Sequence, residues 1–307
     1  MWAENLEETV TKSVVSKIKN SDRRQWLRYG TMSLGILALA PPVGFFVQQF
    51  GTTSLCGTFC MRHLVSSSFF TTLAAPTPAM TLFLLWLGIT LLFGRWACSH
   101  LCPIGGLTEF GSKLVPGRFR IDFARRLDAP LFRFGFLAAY VALPIMGAAA
   151  ISCSFCNFSS ISEGFGSIFV ERTRAGLLTG TRLLSLLFFG GFLGVMALDG
   201  RGHCHLVCPV GAIDSIVNWA GSRLPFAFRE RVRATRCTGC GNCAPSCPAA
   251  AITVDQETHK SSIDLVRCYQ CRRCEGKCAR GAIGITRPVP ALKTLRAPQT
   301  GEGEPSC

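Results

Sequence analysis

Cys237–Pro248 reads CTGCGNCAPSCP, and Cys268–Ala279 reads CYQCRRCEGKCA. Cys237, Cys240, Cys243 and Cys247 have the spacing C-x2-C-x2-C-x3-C, and Cys268, Cys271, Cys274 and Cys278 repeat it. Three thiolates set this way curl around three corners of an iron–sulfur cubane. The fourth lies too far along the chain and reaches the neighbouring cubane instead. The expected ligand sets are therefore Cys237, Cys240, Cys243 and Cys278 for one [4Fe–4S] centre, and Cys268, Cys271, Cys274 and Cys247 for the other. Zinc and disulfides are the rivals. Zinc sites normally draw on two Cys/His pairs rather than two runs of four, so both rank behind clusters.

Ala251-Ile252-Thr253-Val254 and Ala282-Ile283-Gly284-Ile285-Thr286 follow the two runs at matching places and read as the paired short strands of a duplicated fold. Ala279 stands where the first run has Pro248, which leaves the ligands intact. The expectation is an α+β domain of the bacterial two-[4Fe–4S] ferredoxin type over 228–290, followed by a tail over 291–307.

The rest of the chain has a different character. The protein is 49% hydrophobic and 16% charged over 307 residues, with a mean hydropathy of +0.33. That is too apolar for an ordinary soluble domain and points to a membrane component. Four apolar stretches approach the roughly 20 residues that a bilayer requires, namely Tyr29–Val47, Ala75–Phe93, Leu131–Ile151 and Leu177–Leu198. The expected architecture is thus a membrane all-α part over 29–220, four transmembrane helices arranged as two repeated hairpins, behind a cytoplasmic segment over 1–28. A basic stretch ahead of an apolar one also fits a secretory signal, but no cleavage pattern follows it cleanly. Arg133 and Arg182 lie near the ends of their stretches, where they would snorkel.

Lys and Arg concentrate in 1–28 and 95–133, whereas 48–74 carries only Arg62 and 152–182 carries Arg172, Arg174 and Arg182. This asymmetry would place the N-terminus, the middle loop and the ferredoxin domain on the cytoplasmic side of a bacterial inner membrane. The net charge of +14 follows this pattern rather than one basic face, so no nucleic-acid partner is expected.

An internal repeat runs through the apolar part: GRWACSHLCPIGG at Gly94–Gly106 answers GRGHCHLVCPVGA at Gly200–Ala212. The first copy supplies Cys98 and Cys102, and the second supplies Cys204 and Cys208. Each hairpin also carries a pair in its outer loop, Cys56 with Cys60 and Cys153 with Cys156. With the terminal Cys307 set aside, the seventeen cysteines fall into four sets of four. The inner set (Cys98, Cys102, Cys204, Cys208) would hold a third cluster, redox-active thiols or helix-end packing. The outer set (Cys56, Cys60, Cys153, Cys156) would hold a fourth cluster or disulfides. His100, His203 and His205 sit within the inner motifs and are candidate proton acceptors for a quinol, with interfacial hydrogen bonding as the simpler role. Arg95 and Arg201 read as interfacial anchors or as counter-charges to clusters. Arg267, Arg272, Arg273, Lys277 and Arg280 form a basic patch suited to an acidic partner or to anionic lipid.

The combination of C-x3-C-P motifs with a C-terminal two-cluster run resembles the NapH/MauN family of membrane-bound ferredoxins, the membrane subunits of quinol dehydrogenases. It is also similar to the C-terminal half of the nitrous-oxide-reduction regulator flavoproteins. The resemblance covers nearly the whole chain beyond residue 30. It implies electron transfer from menaquinol or ubiquinol to a partner iron–sulfur protein, cytochrome or periplasmic reductase or dehydrogenase in a respiratory chain. It rests on Cys98, Cys102, Cys204, Cys208 and the eight ferredoxin cysteines. The outer pairs depart from the family pattern and would mark a different outer partner. Two other functions fit the same residues: an accessory factor supplying electrons for metalloenzyme maturation, and a membrane metal reductase. No nucleotide-binding glycine motif is present, so direct NADH oxidation is not expected.

Overall fold

The computed structural model describes residues 23–37, 78–148 and 181–286, with the isolated positions Cys156, Ser160, Ile161, Gly164, Ser167 and Ile168. The expected cysteine ligands Cys56, Cys60 and Cys153 lie outside the described residues, as do most of the first apolar stretch and the tail.

Helix α1 occupies 23–37. The first copy of the repeat then comprises α2 (Pro78–Phe93), α3 (Trp96–His100) and α4 (Pro103–Leu114). After a short α5 (Phe123–Arg126) comes α6 (Ala129–Ile145). The second copy opens with α7 (Thr181–Ser185), which continues as a π-helix over Leu186–Val195, and proceeds through α8 (Gly202–Leu206) to α9 (Pro209–Gly221).

The two copies share one local logic. In each, a glycine with positive φ, Gly94 at 70° or Gly200 at 68°, turns the chain into a five-residue helix that carries the first cysteine. A Cys-Pro step then starts the following helix: Cys102 and Cys208 are the N-caps of α4 and α9, and each is followed by proline at the first helical position. Gly200 is obligatory twice over, because a Cβ there would stand 2.3 Å from the Thr108 carbonyl oxygen.

The expectation of four membrane-spanning helices does not hold. Among the described residues no helix is long and apolar enough to cross a membrane. Of the second apolar stretch the structure describes a helix over Pro78–Phe93, whose 16 residues reach about 24 Å against a hydrocarbon core of roughly 30 Å. The turn at Gly94 ends it. The third is a 17-residue helix that begins at Ala129 and ends one residue after Pro144. The fourth is split between α-helix and π-helix at Ser185/Leu186, and its glycine-rich second half runs into a turn where Asp199 has a φ of 60°. Nor does Arg133 snorkel: it is buried and bonded to the C-terminal domain.

α2 packs on α9, α6 on α8 and α9, and α4 on the π-helix. The contiguous apolar core contains Phe83, Ile104, Tyr140, Cys156 and Val210, with Cys102 and Cys208 packed against it. Cys156 therefore shares one core with Cys102 and Cys208.

The C-terminal domain holds four strands: β1 (Arg229–Val232), β2 (Ile252–Val254), β3 (Ser261–Ile263) and β4 (Ile283–Thr286). A one-turn helix α10 (Arg273–Lys277) lies between β3 and β4. β1 pairs antiparallel with β4, and β2 with β3. The two strands expected from the repeat, β2 and β4, thus take different partners rather than each other. β1 was not legible as a strand, because Arg-Glu-Arg-Val carries charge at three of its four positions.

Candidate iron–sulfur centres

In the C-terminal domain Cys247, Cys268, Cys271 and Cys274 line one cavity. Three belong to the second run and one to the first. Backbone amides point at the sulfurs: Gln270 N donates to Cys268 Sγ (3.4 Å) and Ala251 N to Cys247 Sγ (3.4 Å). The duplicate position does the same, with Ala282 N donating to Cys278 Sγ at 3.2 Å. Cys278 packs with Cys243 in the core beneath β2 and β4, and Ser261 N donates to Cys237 Sγ at 3.5 Å. Thiolate sulfurs that accept amide hydrogen bonds inside an apolar shell fit cubane ligation, since both features tune such a centre. The two ligand sets differ in exposure. Cys240 is exposed, whereas Cys271 and Cys274 are buried.

The inner motifs lie directly behind the buried set. Ser99 Oγ donates to the Gln270 carbonyl (3.3 Å), and Gln25 Nε2 donates to that of Cys271 (3.0 Å). The His205 ring lies 5.3 Å from the Tyr269 ring, and the Arg201 guanidinium stands 5.2 Å over it. The Cys268–Cys271 loop therefore touches Ser99 and His205, the sequence neighbours of Cys98 and Cys204.

The four inner cysteines feel one another. Burial pushes the Cys98 thiol well above its ordinary value, with Asp214 adding to the effect. Burial, reinforced by Cys204, moves Cys102 to about 11 and Cys208 to about 12. Cys204 goes the other way, to about 7: burial opposes ionisation, but the charge and hydrogen bond of His203, with Arg201 and Arg95, outweigh it. Gly211 N donates to Cys208 Sγ at 3.3 Å, so this sulfur sits in the positive end of α9. Cys98 Sγ donates to Asp214 Oδ2 (2.7 Å), and Trp86 and Thr90 hold that carboxylate at 3.1 and 3.2 Å. Among the described residues no three His, Cys, Asp or Glu side chains close on a single ion; a cubane holds its thiolates farther apart than one ion does.

The three histidines turn to different partners. His100 Nδ1 meets Ser99 Oγ, and its ring stacks on Trp96 at 4.6 Å. Burial lowers it to about 4. His203 Nε2 bonds Cys204 Sγ at 3.2 Å. His205 lies against Tyr269.

Several important residues escaped the sequence reading. Glu109, fully buried on α4, accepts from Arg28 of α1, from Arg201 Nε at 3.0 Å and from Arg273 Nη2 at 3.2 Å. Burial works to raise its carboxyl, but Arg201, Arg28 and Arg273 together hold it below the ordinary value. Arg229 on β1 donates to the carbonyls of Thr90, Leu91 and Leu92 at 2.8–3.1 Å and so caps the end of α2. A usable signal existed. Glu109 is the sole acid between Gly94 and Arg120, and Asp214 the sole acid between Gly200 and Arg229. Each follows a Cys-Pro step. The basic patch is in large part internal: Arg273 pairs with Glu109 and Asp199, Arg267 with Asp128 and Asp264, and Arg272 with Glu275.

Comparison with known proteins agrees with this geometry. A family described as "4Fe-4S binding domain" matches residues 75–122 and 181–226, the two copies of the repeat. A "4Fe-4S dicluster domain" matches residues 236–282. The chain is similar to the putative electron transport protein YccM of Escherichia coli, at 29% identity over 80% of this chain and 65% of YccM. It is similar also to the ferredoxin-type protein NapH of the same organism, at 25% identity over 62% of each chain. An uncharacterised protein of Methanocaldococcus jannaschii matches at 22% identity over 64% of this chain and 74% of its own length. The chain thus spans just under two thirds of the length of YccM and NapH. No solved structure matches it. Taken with the duplicated C-x3-C-P motif and the eight-cysteine domain docked on it, these likenesses support a ferredoxin-type protein built of 4Fe-4S domains and similar to NapH and YccM.

Proposed function

We propose that this protein is an electron-transfer subunit that conducts single electrons through three [4Fe–4S] centres in a row, between a quinol donor and a partner redox enzyme. The innermost would be held by Cys98, Cys102, Cys204 and Cys208, the middle one by Cys268, Cys271, Cys274 and Cys247, and the outermost by Cys237, Cys240, Cys243 and Cys278. Each cubane, when bound, takes up and returns one electron at a time. The single observation that carries the order is the contact of the 268–271 loop with the inner motifs through Ser99, Tyr269 and His205. The exposed Cys240 at the far end gives a partner access.

The residues of the chain hold this row rigid. Glu109 joins α1, α4, the second motif and α10, and Arg229 fastens β1 to the end of α2. Tight fastening keeps the separation between centres short and constant.

For location, we propose the cytoplasmic membrane of a bacterium, with the ferredoxin domain on the cytoplasmic side. The support is a set of large apolar side chains left exposed on helices: Leu85 on α2, Leu131 and Phe132 on α6, and Leu184 and Leu187 on the second repeat. Lipid contact by these faces places the inner motifs near the quinol pool without requiring a span.

The test is iron and acid-labile sulfide per chain on anaerobically purified protein, with EPR of the reduced sample. At least twelve iron atoms are expected; eight would leave only the ferredoxin pair and remove the inner centre. Adding a short-chain quinol analogue should then reduce the clusters. Clusters that stay oxidised would exclude quinol as the donor.

A further inference from the structure

We propose that Arg95 and Arg133 form a two-guanidinium clamp that supplies counter-charge to a cluster on Cys98, Cys102, Cys204 and Cys208 and ties it to the centre that includes Cys268. The inference rests on the three-centre reading above.

The two arginines are each 1% exposed. A guanidinium removed from water is costly, by several kcal/mol, unless its charge is compensated. The other buried arginines meet that need: Arg28 and Arg201 have Glu109, and Arg229 has the carbonyls at the end of α2. Arg95 and Arg133 have no ion pair among the described residues. Both donate to the same acceptor, the Val266 carbonyl, at 3.4 and 2.9 Å. Both keep a buried Nε without a hydrogen-bond partner, as Arg229 does, but neither has the three carbonyls that Arg229 has from α2.

Sulfur and carboxylate both surround them, and each guanidinium also feels the other. Arg95 lies within electrostatic reach of Cys98, Cys204 and Cys208, and Arg133 within reach of Cys98 and Cys208. A Cβ on Gly211 would stand 3.1 Å from Arg95 Nη2, so this guanidinium lies on the turn that follows Cys208. Asp214 and Asp264 are also in reach, unpaired with either arginine. Four thiolates around a cubane leave net negative charge in both redox states, and one added electron makes it one unit more negative. Two buried positive charges beside it favour the reduced state. Val266 stands two residues before Cys268, so the clamp also fixes the approach of the two centres. Arg95 and Arg133 are positioning residues in this role.

The test uses the full chain, purified anaerobically and titrated with dithionite under EPR. Arg95→Gln and Arg133→Gln should each keep at least twelve iron atoms. Each should weaken reduction of the inner centre tenfold or more, a downward shift of about 59 mV or more, and move the outermost centre much less. Arg95→Lys and Arg133→Lys, which keep the charge, should hold the potential near that of the wild type. Unmoved potentials in both Gln variants overturn the clamp and leave the three-centre reading standing. So do Lys variants that shift as far as the Gln variants. Eight iron atoms in the wild-type chain remove the centre itself. If the Gln variants lose the inner iron, the Lys variants decide: iron and potential retained support the clamp, and iron lost overturns it.

Discussion

Replacing Glu109 by Gln removes one negative charge from a point where three guanidiniums converge. Arg28 and Glu109 are each 1% exposed in side chain, and Arg201 is 2% exposed. After the change Arg273 keeps Asp199, but Arg28 retains only uncharged acceptors, the Ser99 carbonyl and Gln25 Oε1, and Arg201 likewise keeps the carbonyls of Cys98 and Ser99, Met32 Sδ and the Tyr269 ring. Removing one partner of a buried ion pair leaves an uncompensated charge and costs about 3–5 kcal/mol. At roughly 2–4 °C per kcal/mol for a chain of this order, the expected fall in Tm is about 6–20 °C. The assay is loss of the visible cluster absorption on heating, at fixed scan rate and without oxygen. Glu275→Gln is the control, since its partners Arg24 and Arg272 are 41% and 26% exposed and such solvent-accessible pairs contribute at most about 1 kcal/mol each. The carboxyl of Glu109 is held below its ordinary value of 4.5. Its contribution is therefore fully present above that pH and is lost as pH falls through the folded-state value. The gap between wild type and variant should be full at pH 7 and close in acid. A Glu109→Gln protein that melts with the control would refute the network.

Further outcomes follow from other parts of the molecule. Cys247→Ser should abolish the same EPR signal as Cys268→Ser, and Cys278→Ser the same signal as Cys237→Ser; ligation within each run would reverse these pairings. Arg229→Met leaves the last carbonyls of α2 without donors, each charge-assisted bond being worth about 1.5–3 kcal/mol. The ferredoxin domain should then undock, seen as faster proteolysis between Gly221 and Arg229, and unchanged cleavage would count against the cap. Gly200→Ala should destabilise the chain by more than the roughly 1–2 kcal/mol of left-handed backbone strain alone, because its Cβ would meet the Thr108 carbonyl. An urea midpoint equal to wild type would contradict the turn.

Much of the chemistry could be read from local sequence, because cluster ligation is set by spacing over a few residues. The two four-cysteine runs, the duplicated Gly-Arg…Cys-Pro motif and the strand-forming Ile252–Val254 and Ile283–Thr286 were legible for that reason. Hydropathy, by contrast, measures how apolar a stretch is and not how long its helix will be. The glycines after Ser185 and the turn at Asp199 break the fourth apolar stretch, and only the backbone conformation of those residues settles that. The partners of charged groups were equally hidden. Arg28, Arg95, Arg133 and Arg201 look like membrane-edge cations in a sequence, yet all four are buried. Their acceptors, Glu109 and the Val266 carbonyl, come from distant parts of the chain. Ligand spacing is a short-range property that sequence alone determined; charge compensation and the contact between successive centres are long-range ones that only the tertiary structure decided.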